Sequence, residues 1–273
     1  MAFRDLLVLA GNGMEAAGAY GIWLSSTCGA TITAAAPVVE PSIPPYLALE
    51  LPGDLVSQIE RDAQASARKA LADFSTAAKQ AGVAAETLSF EAVAGRVDIS
   101  ISHLARSYDA IVLPQPNLER LDTTEIVEAA LFGSGRPLII VPFIPARQQL
   151  KTVLVAWDGG EPAARAVADA MPILSLAQRV QIVTISQGAH EDPLLSSANL
   201  VRHLAKHGID AEARLIPSGE VDVANLLLSH AADIGVDLMV MGGYGHSRFR
   251  EVMLGGTTRE ILRSMTIPVL MSH

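Results

Sequence analysis

The segment that decides how the chain is interpreted is Leu238-Met-Val-Met-Gly-Gly-Tyr-Gly-His-Ser-Arg-Phe-Arg-Glu-Val-Met-Leu-Gly-Gly-Thr-Thr258. Its apolar start, 238–241, predicts a buried strand. Glycines follow where this strand ends, and two more precede a predicted helix at 259–263. Because glycine has no Cβ, backbone N–H groups can approach a ligand closely, and a helix N-terminus adds orphan donors and positive partial charge. The segment therefore predicts a phosphate-binding loop, with helix-capping glycines as the structural alternative.

Predicted strands and helices alternate along the whole chain, and the pattern occurs twice. Asp237-Leu-Met-Val-Met corresponds to Asp109-Ala-Ile-Val-Leu, for example. Such alternation predicts parallel sheets with helices on both faces, joined by right-handed crossovers. We therefore predict an α/β fold of two tandem, doubly wound, Rossmann-like domains, each with five parallel strands in the order 3-2-1-4-5. The predicted domains are 1–147 and 148–273, and Pro37–Pro52 is expected to be an irregular, proline-spaced insertion in the first.

Composition argues against several classes of protein. The 273 residues carry a formal net charge of −9, which is unfavourable for general nucleic-acid binding. Hydrophobic residues make up 50% and aromatic residues 4%, as expected for buried aliphatic strands. No apolar run approaches the ~20 residues needed to cross a bilayer, and the N-terminus does not resemble a signal or transit peptide. The single cysteine, Cys28, fits a reducing cytoplasm and predicts a packed thiol rather than a nucleophile.

The two halves differ at the carboxyl ends of their strands, where a ligand is expected to bind. With strand order 3-2-1-4-5, the first and fourth strands flank the point where the winding reverses, and ligands bind there. In the second half this order places Asp158 opposite Gly242, so a carboxylate able to bind ribose hydroxyls faces the glycine loop. A turn or N-cap role for Asp158 is the alternative. The first half has Gly11 and Pro114 at these positions, and residues 114–124 contain no glycine. We therefore predict one site, in the second half.

The spacing of the glycines resembles the signature of the universal stress protein family. That signature is Gly, two residues, Gly, nine residues, Gly, then Ser or Thr, and Gly242, Gly245 and Gly255 match it. The first half is similar only in its strand pattern, so the whole chain resembles a tandem, UspA-like universal stress protein. The resemblance implies the adenine nucleotide alpha hydrolase-like form of the fold. One departure is Gly256, which stands where the family has Ser or Thr and removes a hydroxyl expected near the phosphates.

The resemblance also implies an adenine-nucleotide site for ATP or AMP, with Mg²⁺ as a companion of ATP. Asp158 would contact the ribose, Ile185 would line the adenine pocket, and Thr257 and Thr258 would partly replace the missing hydroxyl. The implied nucleotide-binding residues are Ala156, Trp157, Asp158, Ile185, Met241, Gly242, Gly245, His246, Gly255, Gly256, Thr257 and Thr258. No catalytic residue or metal ligand is predicted, and without a general base any ATP hydrolysis would be slow.

The implied role is regulatory, in the stress response of the cytoplasm. Neither nucleic acid nor membrane is an expected partner. The two halves are expected to form an intramolecular pseudo-dimer, and two chains could pair into a homodimer.

Three other interpretations remain open. The chain could be a stress-response interaction protein whose nucleotide site has decayed, since the family hydroxyl is lost at Gly256. Gly11–Ala16 fits the dinucleotide pattern G-x-G-x-x-A of a nicotinamide or flavin enzyme, although no carboxylate clearly ends the second strand. His203 and His207 lie four residues apart on a predicted helix and could bind zinc, although no third ligand is evident.

Overall fold

The computed structural model of the protein describes residues 2–11, 13–40, 53–93, 96–117, 121–186, 193–219, 221–244 and 256–273. The chain forms two compact units, the first of Phe3–Arg136 and the second containing Pro137–His273. Strands and helices alternate in both units, which confirms the predicted α/β class.

The elements of the first unit are β1 (Asp5–Leu9), α1 (Glu15–Cys28), β2 (Thr31–Glu40), α2 (Gly53–Gln80), β3 (Ala85–Val93), α3 (Val97–Ala105), β4 (Ala110–Pro114) and α4 (Leu121–Gly133). The elements of the second unit are β5 (Leu138–Val141), β6 (Thr152–Ala156), α5 (Glu161–Leu174), β7 (Arg179–Ser186), α6 (Pro193–Lys206), β8 (Ala211–Pro217), α7 (Val223–Asp233), β9 (Leu238–Gly242), α8 (Gly256–Ser264) and β10 (Val269–Ser272).

The first unit contains a parallel sheet with the strand order β3-β2-β1-β4. Strands β1 and β4 are continuous aliphatic runs, and residues 6–9 and 110–113 are buried. Strands of this kind are covered on both faces, so the apolar run and not an alternating pattern identifies them in the sequence.

Strand β2 is longer than predicted, because it continues through Pro37 to residue 40. The prediction of an irregular segment is therefore wrong for residues 37–40, whereas residues 41–52 lie outside the described part of the chain. The carbonyl of Ala35 accepts a hydrogen bond from the N–H of Ala10 on the β1 side, and Pro37 faces the same side two residues later. Strand β1 has already ended there, so Pro37 costs the sheet no ladder hydrogen bond.

The second unit has the strand order β8-β7-β6-β9-β10-β5. Strands β6 to β10 are parallel, which confirms the predicted order 3-2-1-4-5 for the second half. Strand β5 pairs with β10 in the antiparallel direction, with Val269 opposite Ile140. Because of this pairing the compact units divide between Arg136 and Pro137. The domain boundary predicted at 147/148 was placed by the sequence repeat. It lies after β5 and the linker that follows it, whereas the compact units divide before β5.

Helices cover both faces of the second unit's sheet. Helix α5 packs on β9 and β10, α6 packs on β7 and β8, and α7 and α8 pack against each other. Gln181 of β7 lies on the α7 face, where its side-chain oxygen is 2.5 Å from Nε2 of His230. The carboxyl ends of β6 and β9 therefore lie between helices on opposite faces.

Two predictions about composition can be compared with the described residues. Cys28 is half-buried, and burial raises the pKa of its thiol to about 11, so the group is a thiol and not a thiolate near neutral pH. None of the described helices combines the length and the apolar character that a bilayer-crossing helix requires.

Candidate functional site

Strands β6 and β9 are direct neighbours, so the two segments singled out in the sequence meet at one edge of the sheet. Ala156 pairs with Met241, which places Trp157 beside Gly242 and Asp158 one residue further on. Strand β7 lies on the other side of β6, so this edge is the point where the winding of the second unit reverses.

Asp158 is exposed at this edge, and its side chain has a structural role there. Its Oδ1 accepts a hydrogen bond from the backbone N–H of Gly160 at 2.8 Å, which closes the turn before α5. Gly159 inside this turn has φ +79°, a conformation that favours glycine. The structure thus contains the turn that was the alternative to a ligand role. The carboxylate is nevertheless accessible to a ligand.

Gly242 is required by packing. A Cβ at this position would lie 2.5 Å from the backbone nitrogen of Ala163 and 2.6 Å from the carbonyl carbon of Pro162. Both are backbone atoms of the first turn of α5 and cannot rotate away. The missing side chain of Gly242 therefore lets α5 approach the end of β9, a reason that differs from the close approach of a ligand expected from the sequence.

The first residues after β9 are tied to two other elements. The N–H of Gly243 donates to the carbonyl of Ser272 at 2.8 Å, and the carbonyl of Gly243 is 3.1 Å from Nδ1 of His273. Tyr244 has φ 62° and is buried, and its N–H donates to Oγ1 of Thr258 at 3.3 Å. A left-handed backbone at a non-glycine residue costs of the order of 1 kcal/mol, and these neighbouring contacts hold it in place.

Helix α8 begins at Gly256, three residues before the predicted start at 259, and Thr257 and Thr258 therefore lie in its first turn. The N–H groups of this turn have no acceptor within the helix. Gly256 is exposed, and among the described residues no atom beyond its chain neighbours and its own helix backbone lies within 4 Å of the position that a Cβ would take. Thr258 is 4% exposed and its hydroxyl accepts from Tyr244, whereas Thr257 is half-buried. Thr257 is thus the better placed replacement for the missing family hydroxyl.

Three of the predicted nucleotide-binding residues, Gly245, His246 and Gly255, lie outside the described residues. Of the others, Met241 is only 5% exposed, so little of this residue is accessible to a ligand. Ile185 and Ala156 are half-buried at the ends of β7 and β6.

Trp157 is anchored by a residue that sequence reasoning missed. Its indole Nε1 donates to Oγ of Ser196 on α6 at 2.9 Å, and the same Oγ would be 3.3 Å from a Cβ at Gly159. The two partners are 39 residues apart, and no local pattern connects them. Their hydrogen bond fixes the indole at the end of β6, next to the turn that presents Asp158.

Two buried hydroxyls were also missed. Ser272 of β10 pairs with Gly242 of β9. The pairing of β6 with its two neighbours places Trp157 beside Gly242 on one side and beside Thr184 of β7 on the other, so these four residues form a row across the sheet. The hydroxyls of Ser272 and Thr184 are buried and find no partner among the described residues. A row of small and polar groups thus crosses the carboxyl edge of the sheet beneath α5 and α6.

The first unit lacks this arrangement at its corresponding edge. Ala10 follows β1 beside Pro114, which has no N–H to offer. At the dinucleotide-like pattern, the N–H of Gly13 donates to Oε1 of Glu15 at 3.3 Å, so a carboxylate of the chain itself takes a donor that a pyrophosphate would need. This contact argues against a dinucleotide site at Gly11–Ala16.

The candidate zinc pair is formed as the helical spacing requires. The rings of His203 and His207 are exposed and their centroids lie 4.9 Å apart. Among the described residues, however, no cluster of three or more His, Cys, Asp or Glu side chains could hold a metal ion.

Comparison with known proteins agrees with this fold. Residues 149–273 match the model of the universal stress protein family. Universal stress protein Slr1230 of Synechocystis is 29% identical over 53% of this chain, and the match spans 49% of that protein's length. Universal stress protein YxiE of Bacillus subtilis is 27% identical over 43% of this chain and 95% of its own. The solved structure of a universal stress protein from Archaeoglobus fulgidus matches 98% of this chain and 96% of its own with a TM-score of 0.79 at 17% identity, which shows the shared fold.

The molecule is thus an α/β protein of the doubly wound class, with its candidate site at the point where the winding reverses. Its second half, residues 149–273, is similar to the universal stress protein family, and the whole chain shares the fold of a solved universal stress protein.

Proposed function

We propose that the second half of the chain binds an adenine nucleotide, ATP or AMP, at the carboxyl ends of β6 and β9. The observation that carries the proposal is the juxtaposition of Asp158 with Gly242, the first glycine of the motif, because the pairing of Ala156 with Met241 brings these two residues to the same end of the sheet. The motif keeps the family spacing of Gly242, Gly245 and Gly255. Its last part leads into a helix N-terminus, which favours negative charge.

Each residue would have a distinct role. The Asp158 carboxylate would accept hydrogen bonds from the ribose hydroxyls, and Ile185 with the backbone of Met241 would border the base. The first-turn N–H groups of α8 would bind the phosphates, and the open space at Gly256 would accommodate them. Mg²⁺, if it accompanies ATP, would neutralise phosphate charge. The described residues offer no placed general base, so the proposed role is binding, as a cytoplasmic stress-response regulator, with slow hydrolysis at most.

The first half would serve as a scaffold without a nucleotide. Pro114 and the contact between Gly13 and Glu15 support this assignment. A second candidate function is a stress-response interaction protein that binds no nucleotide, and Gly256 favours it because the family hydroxyl is missing there.

The deciding experiment measures nucleotide on the purified full chain. Mass spectrometry of the supernatant after denaturation, followed by calorimetry with ATP and AMP, should detect an adenine nucleotide at one site per chain. Asp158→Asn keeps an acceptor for the Gly160 N–H and removes the charge. A loss of nucleotide affinity in this variant would therefore reflect a lost contact with the ribose and not a disrupted turn. Gly245→Val should abolish binding, whereas Gly11→Val should not. Binding that is absent in the wild type, or lost equally in Gly11→Val, would sink the proposal.

A further inference from the structure

Strand β8 is the last strand of the second unit's sheet, and among the described residues it pairs only with β7. Its middle residues, Glu212, Ala213 and Arg214, are exposed. An edge strand of this kind presents unpaired N–H and C=O groups, which makes it a template for a further strand. The outer edge of β8 is therefore a candidate interaction surface.

The hydrogen bonds between β7 and β8 identify the backbone groups at this open edge. The N–H of Ser218, just after β8, donates to the carbonyl of Ser186 on β7 at 3.0 Å. Successive residues of a strand direct their N–H and C=O groups to alternate sides, so the even-numbered residues of β8 bond to β7. Ala211, Ala213 and Leu215 therefore direct these groups outwards.

Two opposite charges lie on one face of β8. Glu212 and Arg214 are two residues apart, so their side chains point to the same side of the sheet. Oε1 of Glu212 accepts hydrogen bonds from Arg179 and Gln181, whereas its Oε2 accepts none from the described residues. Arg214 forms no ion pair with any residue that the structure describes. Both charged groups can therefore take a partner at the open edge.

We propose that β8 pairs with β8 of a second copy, antiparallel and symmetric about Ala213. Ala213 then exchanges both backbone hydrogen bonds with Ala213 of the second copy, and Ala211 does so with Leu215. Glu212 lies directly opposite Arg214 of the second copy, in a non-hydrogen-bonded pair, where facing side chains are closest. The two-fold symmetry forms this ion pair twice and closes a dimer.

The charges and a proline select this register over its neighbours. Centring the pairing on Glu212 places two Glu212 side chains opposite each other, and centring it on Arg214 does the same for two arginines. The second of these also sets Pro217, which has no N–H, against the outward groups of Ala211. In the proposed register Pro217 lies beyond the paired residues, where its missing N–H costs no hydrogen bond.

Sedimentation velocity of the full chain, from roughly 1 µM to 1 mM, tests the proposal. The wild type should form a closed dimer. Ala213→Pro should weaken dimerisation at least tenfold, because it removes an outward N–H and places a ring at the symmetry axis. The substitution removes no hydrogen bond between β7 and β8, so the fold should survive, and circular dichroism of the variant checks this.

Ser89→Pro is the matched control. Ser89 is exposed on β3, the edge strand of the first unit, whose charged residues are both glutamates. The N–H of Ile32 on β2 donates to the carbonyl of Ala84, so the odd-numbered residues of β3 direct their N–H groups outwards, as Ala213 does on β8. The same substitution at an edge without opposite charges should leave the dimer intact.

Charge reversal identifies the register of the pairing. Glu212→Arg and Arg214→Glu should each weaken the dimer several-fold, because like charges then lie opposite each other. An equimolar mixture of the two variants should associate again, since every charge of one chain meets its opposite in the other.

Four results would overturn the proposal. These are a wild type that is monomeric up to the highest concentration, assemblies that grow beyond a dimer, a Ser89→Pro variant that dimerises as weakly as Ala213→Pro, and a mixture of the charge variants that does not associate.

Discussion

Asp109 and Asp237 hold the start of the first strand of their respective halves in the same way. Each Oδ2 accepts hydrogen bonds of 2.7–3.0 Å from two successive backbone N–H groups, those of Arg4 and Asp5 for Asp109, and those of Lys151 and Thr152 for Asp237. Each aspartate precedes the fourth strand of its half and donates its own N–H back at 2.9 Å, to Asp5 and to Thr152. The same capping device in both units supports the internal repeat that the sequence predicts.

Replacing Asp237 should destabilise the second unit. Asp237 is 1% exposed, and Gln149 donates to its second oxygen at 2.7 Å. In Asp237→Ala the N–H groups of Lys151 and Thr152 lose their acceptor, which should lower the free energy of unfolding by about 2–4 kcal/mol. Urea unfolding followed by Trp157 fluorescence in a Trp23→Phe background measures this unit alone.

The exposed Asp210 provides the control for that experiment. Asp210→Ala should stay within about 0.5 kcal/mol of the parent. Asp237→Asn keeps an oxygen acceptor, so its free energy of unfolding should lie between those of Asp237→Ala and Asp210→Ala. A cost for Asp237→Ala no larger than that for Asp210→Ala would contradict a stabilising role for the cap.

The fold could be predicted because its information is local in sequence. Aliphatic runs identify the buried strands, and the alternation with helices determines the parallel order, which in turn places Asp158 beside Gly242. The antiparallel pairing of β5 with β10 could not be predicted in this way, because a repeat in sequence does not say which strands of different halves pair.

The position of the candidate site could be predicted from the sequence, but the contacts of its residues could not. Gly242 belongs to the glycine motif, yet its packing against α5 depends on residues 80 positions away in sequence and on the path of that helix. The anchoring of Trp157 by Ser196 and of Tyr244 by Thr258 likewise needs the folded chain. Such contacts depend on how side chains of different helices and strands pack together, and the spacing of residues along the chain does not predict that packing.

Adding a methyl group at Gly242 should disturb α5. The Cβ of Gly242→Ala would overlap backbone atoms of Pro162 and Ala163, so the first turn of α5 must shift, at a cost of about 1–3 kcal/mol. The same change at Gly256 meets no atom of the described residues outside its own helix within 4 Å and should be nearly neutral. The melting temperatures of the two variants can be compared directly. Equal melting temperatures would show that the end of β9 accommodates a methyl group without loss of stability.

His230 should make the stability of the second unit depend on pH. Burial, and then the positive charges of Arg214 and Arg179, lower the pKa of its imidazole, while Asp233 opposes them. The unfolded chain therefore takes up this proton at a higher pH than the folded chain. Stability is full above the usual histidine pKa of 6.5 and falls as the pH drops from there through the lowered value.

The variant His230→Gln should flatten this dependence between about pH 7 and pH 5. The variant also alters the 2.5 Å contact with Gln181 and with it the absolute stability, so the slope of stability against pH is the quantity to compare. Parallel curves for wild type and His230→Gln would show that the imidazole does not titrate differently on folding.

Restoring a hydroxyl at Gly256 should tighten the proposed nucleotide site, and should do so most for ATP. The position is exposed at the first turn of α8, and no atom of the described residues outside that helix lies within 4 Å of a Cβ there, so Gly256→Ser should add a donor without displacing them. A net hydrogen bond to a charged phosphate contributes about 1.5–3 kcal/mol, or roughly tenfold or more in affinity. Calorimetry with ATP and AMP tests this, with Gly256→Ala as the control for side-chain bulk. Because the family hydroxyl is expected near the terminal phosphates, the gain should be smaller for AMP. An equal gain for both nucleotides would place position 256 against the phosphate nearest the ribose instead.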